Sequence, residues 1–373
     1  MHRNSTKLFF LPGLVLTAVL VAGLVTSVMT LLSDKGADWW DDVSWGKLES
    51  GETTAALAAT LKDNLPGGHY LVTADRVSAY LLFHDLGTRV RPGCDNWLFL
   101  ADELMVYPDA EAHLMVRARM VGQVEQALKE KGVNLVVAVV PDKSRVSGEH
   151  LCGVDRPARF ESRLGDFVTA LRAQKISTVN LLDVLSLPGG EHYYRTDTHW
   201  NQPGARLAAE AVAGQLRDAG LAPPPGALWK ISMGASQERV GDLIRLAGLS
   251  DVAVPYRPKG DMVALQTLEA PAAEGGSDLF GDTRLPGIVD IGTSYSNNSN
   301  FVDYISAALS SPVANMARDG GDFSGSAVAY FTNPAFLQTP PKVVIWEIPE
   351  RVLEQPLTQQ EKDWREKLAA GKL

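Results

Sequence analysis

The chain has 373 residues, 45% of them hydrophobic and 21% charged, with a net charge of −9. This composition excludes wholesale disorder, collagen-like repeats and a polytopic membrane protein, and the length fits one large domain or two modest ones. The acidic balance argues against a nucleic-acid partner, because phosphate contacts need clustered Lys and Arg. The two cysteines, Cys94 and Cys152, are too few for a disulfide scaffold and match no zinc spacing. An oxidising compartment would allow one bridge between them; in the cytosol they would be two buried thiols.

Leu8 to Leu32 is a run of 25 residues without a charge, and about 20 apolar residues span a bilayer core. Arg3 and Lys7 precede the run, and Asp34, Asp38, Asp41 and Asp42 follow it with Lys35 among them. The positive-inside rule then predicts a cytoplasmic N-terminal tip and an exported body. A cleaved signal peptide is the competing reading, but its apolar core should be about 7–15 residues long with an A-x-A-like site. The expectation is an uncleaved single-pass anchor over residues 1–33, and with it a disulfide between Cys94 and Cys152. Residues 34–90 read as a stalk with little β character, with Trp39, Trp40 and Trp45 just beyond the membrane and a short helix over Thr53–Leu65.

From about residue 91 strands alternate with helices. Trp97–Leu100 is a short apolar strand, and Asp109–Lys131 is a helix with Leu114, Val121, Val124 and Leu128 on one face. Val133–Val140 is a β-branched run suited to a strand buried on both faces. A helix over Pro157–Gln174, a strand over Ile176–Val184 and a helix over Pro203–Ala219 follow. Residues 221–285, rich in Pro and Gly, break the rhythm and read as an insertion. It resumes with a strand over Gly287–Ile291, a helix over Asn300–Leu309 and a strand over Lys342–Ile348. The pattern predicts an α/β domain with a mostly parallel sheet covered on both faces. Neither nucleotide-binding glycine motif is present.

Three segments at strand ends could carry chemistry. In Thr196–Asn201, Asp197 and His199 would point the same way if extended, and a carboxylate beside an imidazole can leave Nε2 free as a base. The alternatives are an Asp that caps the helix at Pro203, or a metal set of His192, Asp197 and His199, whose spacing fits no standard motif. In Gly292–Ser296, Ser294 sits on a strand-to-helix turn where backbone N–H groups could hold an oxyanion. The match to G-x-S-x-G is partial, because Ser296 takes the last position; Ser296 is the competing nucleophile, and Tyr295 an oxyanion or substrate candidate. In Val140–Arg145, Lys143 and Arg145 could hold an anionic group or organise a loop.

The motifs T-D-T-H-W-N-Q-P-G-A (196–205) and I-G-T-S-Y-S (291–296) resemble the AlgJ/AlgX/WssI group, which are SGNH-hydrolase-like polysaccharide O-acetyltransferases of Gram-negative bacteria. V-P-D-K-S-R (140–145), C-D-N-W-L-F-L (94–100) and I-W-E-I-P-E-R (345–351) support the likeness in the same order. The resemblance implies a three-layer SGNH-like sandwich in permuted order over residues 91–355, with 356–373 as a C-terminal helix or tail. It also implies a triad of Asp197, His199 and Ser294 that works by covalent acyl transfer without a cofactor or metal. The setting it implies is periplasmic acetylation of alginate or cellulose. An integral-membrane acyltransferase would deliver the acetyl group, and other export subunits would be partners. AlgX-like members carry a further carbohydrate-binding module; the short stretch after Arg351 leaves the expectation that this chain lacks one and is laid out like AlgJ or WssI. The rival readings are an acetyl esterase of the same fold, a non-catalytic scaffold or glycan-binding subunit, and a metal hydrolase that a chelator would inactivate.

Overall fold

The structure is a computed structural model that describes residues 5–33, 43–270 and 286–373. The charged flanks of the apolar run (Arg3, Asp34, Lys35, Asp38, Asp41 and Asp42), the Trp39–Trp40 pair and the last part of the expected insertion lie outside the described residues.

Two compact units divide at Ala79 and Tyr80, rather than at the 90/91 boundary read from the pattern. The strand β1 (Val90–Pro92) explains the difference: it pairs antiparallel with β2 (Leu98–Leu100), and the Arg89 carbonyl accepts from the Ala101 N–H, so the residues before 90 join the second unit. The first unit begins with a helix over Ser5–Leu31, within which Pro12–Leu31 is long and apolar enough to cross a membrane. The hydroxyls of Thr17 and Thr26 donate back to the carbonyls of Gly13 and Ala22, so they place no unpaired donor on the helix surface. A helix over Glu52–Asn64 follows.

In the second unit a five-stranded sheet is parallel throughout. Its strands are β3 (Asn134–Val140), β4 (Ser177–Asn180), β7 (Ile288–Ile291), β8 (Val313–Asn315) and β9 (Val343–Pro349), in the order β4-β3-β9-β7-β8. The period-two alternation of the strands sorts the core into two layers. Val137, Val139, Val344, Trp346 and Ile348 meet the helices Ala110–Glu130, Phe160–Ala173 and Gln359–Ala369 on one face. Val136, Ala138, Val140, Val343 and Ile345 meet the helices Gln202–Asp218 and Phe301–Leu309 on the other. The fold is an α/β sandwich of three layers around a parallel sheet, as the alternating pattern predicts.

Two parts of the reading change. The strand expected over Ile176–Val184 stops at Asn180, whose side chain accepts from the Leu182 N–H and starts a helical turn over Leu182–Leu185. The insertion is itself ordered: β5 (Lys230–Arg239) and β6 (Asp261–Glu269) pair antiparallel, with a helix over Asp242–Leu246 between them.

Cys94 and Cys152 are joined, with Cα atoms 5.5 Å apart. The bridge clips the turn before β2 to the segment after β3, beside the stack of Trp97 on His150 at 4.3 Å.

Candidate active site

Ser294 begins the helical turn Ser294–Asn297, three residues after β7 ends at Ile291. Gly292 is required there: a Cβ on it would stand 2.6 Å from Glu347 Oε2 and 2.7 Å from Ser296 Oγ. Glu347, buried on β9, accepts from the Thr293 N–H (2.6 Å), the Thr293 hydroxyl (2.9 Å) and the Ser296 hydroxyl (3.3 Å). The turn is thus held from within the sheet. As the first residue of the turn, Ser294 has an N–H with no intrahelical acceptor. Its side chain is partly open to solvent, whereas Ser296 is buried against Glu347.

The segment 193–200 folds into a tight loop closed by an antiparallel bridge between Tyr193 and Trp200. Asp197 and His199 do not face one way along an extended strand. The loop turns, so that Asp197 Oδ1 accepts from both the His199 backbone N–H (3.1 Å) and the ring Nδ1 (2.6 Å). Asn201, not Asp197, caps the helix Gln202–Asp218 by accepting from the Gly204 N–H (2.9 Å). His199 Nε2 lies 2.7 Å from Ser294 Oγ, across 95 positions of sequence. Asp197 has no exposure; burial alone would raise its carboxyl, but the His199 contact and the Arg239 guanidinium outweigh it and hold the group far below the usual carboxylate range. The serine hydroxyl, imidazole and anion therefore form one continuous relay, which can take the hydroxyl proton and hold it on the ring.

The other sequence candidates have different roles. Lys143 cannot receive an anionic ligand: it is fully buried, and its Nζ donates to the carbonyls of Leu98 (2.5 Å), Arg195 (2.9 Å) and Asp197 (2.9 Å). Burial lowers its ammonium to about 8. It braces the Asp197 loop from behind, which is the loop-organising alternative. Arg145 is likewise committed, to Glu350 through two bonds of 2.9 and 2.7 Å and to the Phe160 carbonyl. The Tyr295 hydroxyl donates to the Thr198 carbonyl (2.9 Å), and its buried ring stands edge-on to His199 at 5.0 Å, so the side chain supports the imidazole rather than facing a substrate. His192 turns away, its Nδ1 2.7 Å from the Leu185 carbonyl, and does not join Asp197 and His199 as a ligand set.

Sequence reasoning missed Glu347, Arg239 and Asp242. A signal existed for Glu347, a lone carboxylate in the apolar run Lys342–Ile348. None existed for Arg239 and Asp242, which lie in the insertion about 40 residues after the loop they touch.

A partly open serine on a turn after a parallel strand, backed by a histidine and a buried aspartate in a three-layer sandwich, defines the SGNH-hydrolase-like class of acyl-transfer domains. The family model for the SGNH hydrolase-like domain of the acetyltransferase AlgX matches residues 90–350. The chain belongs to this family and is an O-acetyltransferase of that fold. It is 33% identical over 306 residues to the probable alginate O-acetylase AlgJ of Pseudomonas aeruginosa, covering 78% of each chain. It is 30% identical over 301 residues to the AlgJ of Azotobacter vinelandii, covering 78% of this chain and 77% of that one. Among solved structures, the O-acetyltransferase domain of Pseudomonas putida AlgJ matches with a TM-score of 0.66 at 27% identity, over 76% of this chain and 99% of that one.

Proposed function

We propose that this chain acetylates hydroxyl groups of an exported polysaccharide, with alginate as the first candidate, through an acetyl ester on Ser294. The observation that carries the reading is the relay from Ser294 Oγ to His199 Nε2 (2.7 Å) and from His199 Nδ1 to Asp197 Oδ1 (2.6 Å). His199 takes the Ser294 proton as Oγ attacks the acetyl carbonyl of the donor, and the Ser294 N–H, at the start of the helical turn, donates to the oxyanion. The tetrahedral intermediate collapses, the donor's leaving group takes the proton from His199, and Ser294 keeps the acetyl group. A sugar hydroxyl then gives its proton to His199 and attacks the acyl-serine; as the bond from the acetyl carbon to Oγ breaks, His199 returns the proton to Ser294 and the sugar keeps the acetyl group. Asp197 orients the ring and stabilises the imidazolium.

The helix Pro12–Leu31, with Arg3 and Lys7 before it, supports a single-pass inner-membrane anchor with the catalytic unit in the periplasm. There an integral-membrane acyltransferase would supply the acetyl group, and other acetylation and export subunits would be partners. The names of the relatives favour alginate over cellulose. The test is acetyl transfer to de-acetylated alginate and to cellulose oligomers, with Ser294→Ala as control. The proposal expects acetyl ester on the alginate with the native protein and none with the variant. Release of acetate with no acetylated glycan would favour an esterase, and unchanged glycan acetylation by the variant a scaffold.

A further inference from the structure

The loop that carries Asp197 and His199 is gripped from outside by the insertion. Arg239, at the end of β5, donates from one guanidinium nitrogen to Asp197 Oδ2 (3.0 Å) and to Asn298 Oδ1 (3.1 Å). Asn298 in turn donates to the Ser294 carbonyl (2.7 Å), so Arg239 ties the aspartate to the turn that holds the serine. Asp242, the first residue of its helix, gives its backbone N–H to Asp197 Oδ2 (3.1 Å) and accepts from the Thr198 N–H (2.7 Å) and hydroxyl (2.5 Å). Its Oδ2 stands 3.6 Å from His199 Nδ1. Asp261, on β6, accepts from the N–H groups of Arg195 (2.8 Å) and Thr196 (3.0 Å). The insertion therefore supplies most of the outer partners of the loop, and it sets two charges of opposite sign against the Asp197–His199 pair.

We propose that Arg239 and Asp242 are positioning residues that hold Asp197 against His199 and, through their opposite charges, oppose one another in stabilising the protonated imidazole. This inference rests on the Ser294 relay proposed above. A guanidinium on the far side of Asp197 draws off part of the field that the carboxylate offers the ring. A second carboxylate at Nδ1 adds to that field. The other groups facing the pair are Ser294 and the Tyr295 ring from the turn after β7, Lys143 at the Asp197 carbonyl, and Tyr194, whose ring lies 4.9 Å from the Arg239 guanidinium. Neither Ser294 nor Tyr295 carries a charge near neutral pH, and Lys143 is unaltered in the variants below. The two insertion charges can thus be removed one at a time.

The test is the rate at which phenylmethylsulfonyl fluoride labels Ser294 in the full chain, measured by peptide mass across pH. Labelling rises with pH as the imidazole loses its proton. Arg239→Gln removes a positive charge, so the rise moves to higher pH; Asp242→Asn removes a negative one, so it moves to lower pH. Each displacement is expected to be about half a pH unit or more. Arg239→Lys, which keeps the charge, returns the midpoint toward that of the native chain. Thermal melts show which variants fold, and the sign from either one alone decides the matter. Slower labelling at every pH with unmoved midpoints, or displacement of both variants in one direction, would overturn the inference and leave a structural role only. If the native chain's labelling falls on a residue other than Ser294, the relay itself fails; if Ser294 is labelled and the midpoints stay fixed, only this inference does.

Discussion

Two polar clusters stand at the carboxyl edge of the parallel sheet, and only one of them holds a nucleophile that is partly open to solvent. After β3 and β9, Glu350 accepts from the guanidinium groups of Arg145 (2.7 Å), Arg156 (3.3 Å) and Arg163 (3.1 Å) and from the Asp142 N–H (3.0 Å), while Arg163 also pairs with Asp142. These side chains are almost wholly enclosed, and each basic group is committed to a partner. After β7, Ser294 is left partly open, and its hydroxyl faces an imidazole whose far side is anchored to a buried anion. Both clusters are rich in ionisable groups, so charge does not distinguish them. What differs is the use of the charges: the first pairs its cations with its own carboxylates, and the second keeps one nucleophilic atom partly open with a proton acceptor behind it.

The largest expected effect separates the two at once. Ser294→Ala or His199→Ala should lower acetyl transfer by about 10⁴-fold or more, because the members of such a relay act as a unit, and Ser294→Ala should do so with the melting temperature nearly unchanged. Glu350→Ala should do the reverse to the fold. It leaves buried guanidinium groups without a counter-charge and should cost about 3–5 kcal/mol, read as a lower denaturant midpoint. A Glu350 variant with native stability would break the contrast.

The disulfide braces the turn before β2, where Lys143 Nζ lies 5.0 Å from the Trp97 ring and Trp97 stacks on His150. A bridge across a separation of 58 residues should contribute about 4 kcal/mol in the chain-entropy model. Replacing Cys94 and Cys152 by Ala should therefore lower stability and leave the rate of Ser294 chemistry close to native. Thiol titration of the denatured, unreduced chain should find no free thiol.

A pH-dependent effect concerns Asp290, on β7 four residues before Ser294. It is fully buried, and burial raises its carboxyl to about 8. An unfolded chain releases this proton near the ordinary aspartate value of 3.8 and the folded one near 8, so between those values the folded state holds the extra proton and stability falls as pH rises. Asp290→Asn removes that titration. The variant should match the native chain near pH 4 and gain on it as the pH approaches 8, read from paired melts.

Much of this arrangement was legible in the sequence because it is local or periodic. The run Val133–Val140 announces a strand buried on both faces, and Gly292–Thr293–Ser294 announces a turn with an accessible hydroxyl. The resemblance carried by 196–205 and 291–296 joined Asp197 and His199 to Ser294 across 95 positions. Charge alone could not choose between the two readings at Lys143 and Arg145: a basic pair at a strand end looks the same whether it faces solvent or is consumed by carbonyls and by Glu350. The insertion was the least legible part. Arg239 and Asp242 have no periodicity to mark them, and their partners are fixed only when β5 and β6 pair and bring the intervening helix against the loop.

The most direct measurement of the central claim is the site of covalent acetylation. The full chain is exposed to 4-nitrophenyl acetate, quenched in acid and mapped by peptide mass. The relay predicts one acetyl group on Ser294, lost when de-acetylated alginate is added and absent in His199→Ala. Acetyl on Ser296, or an unmodified Ser294 in a chain that still acetylates the glycan, would contradict it.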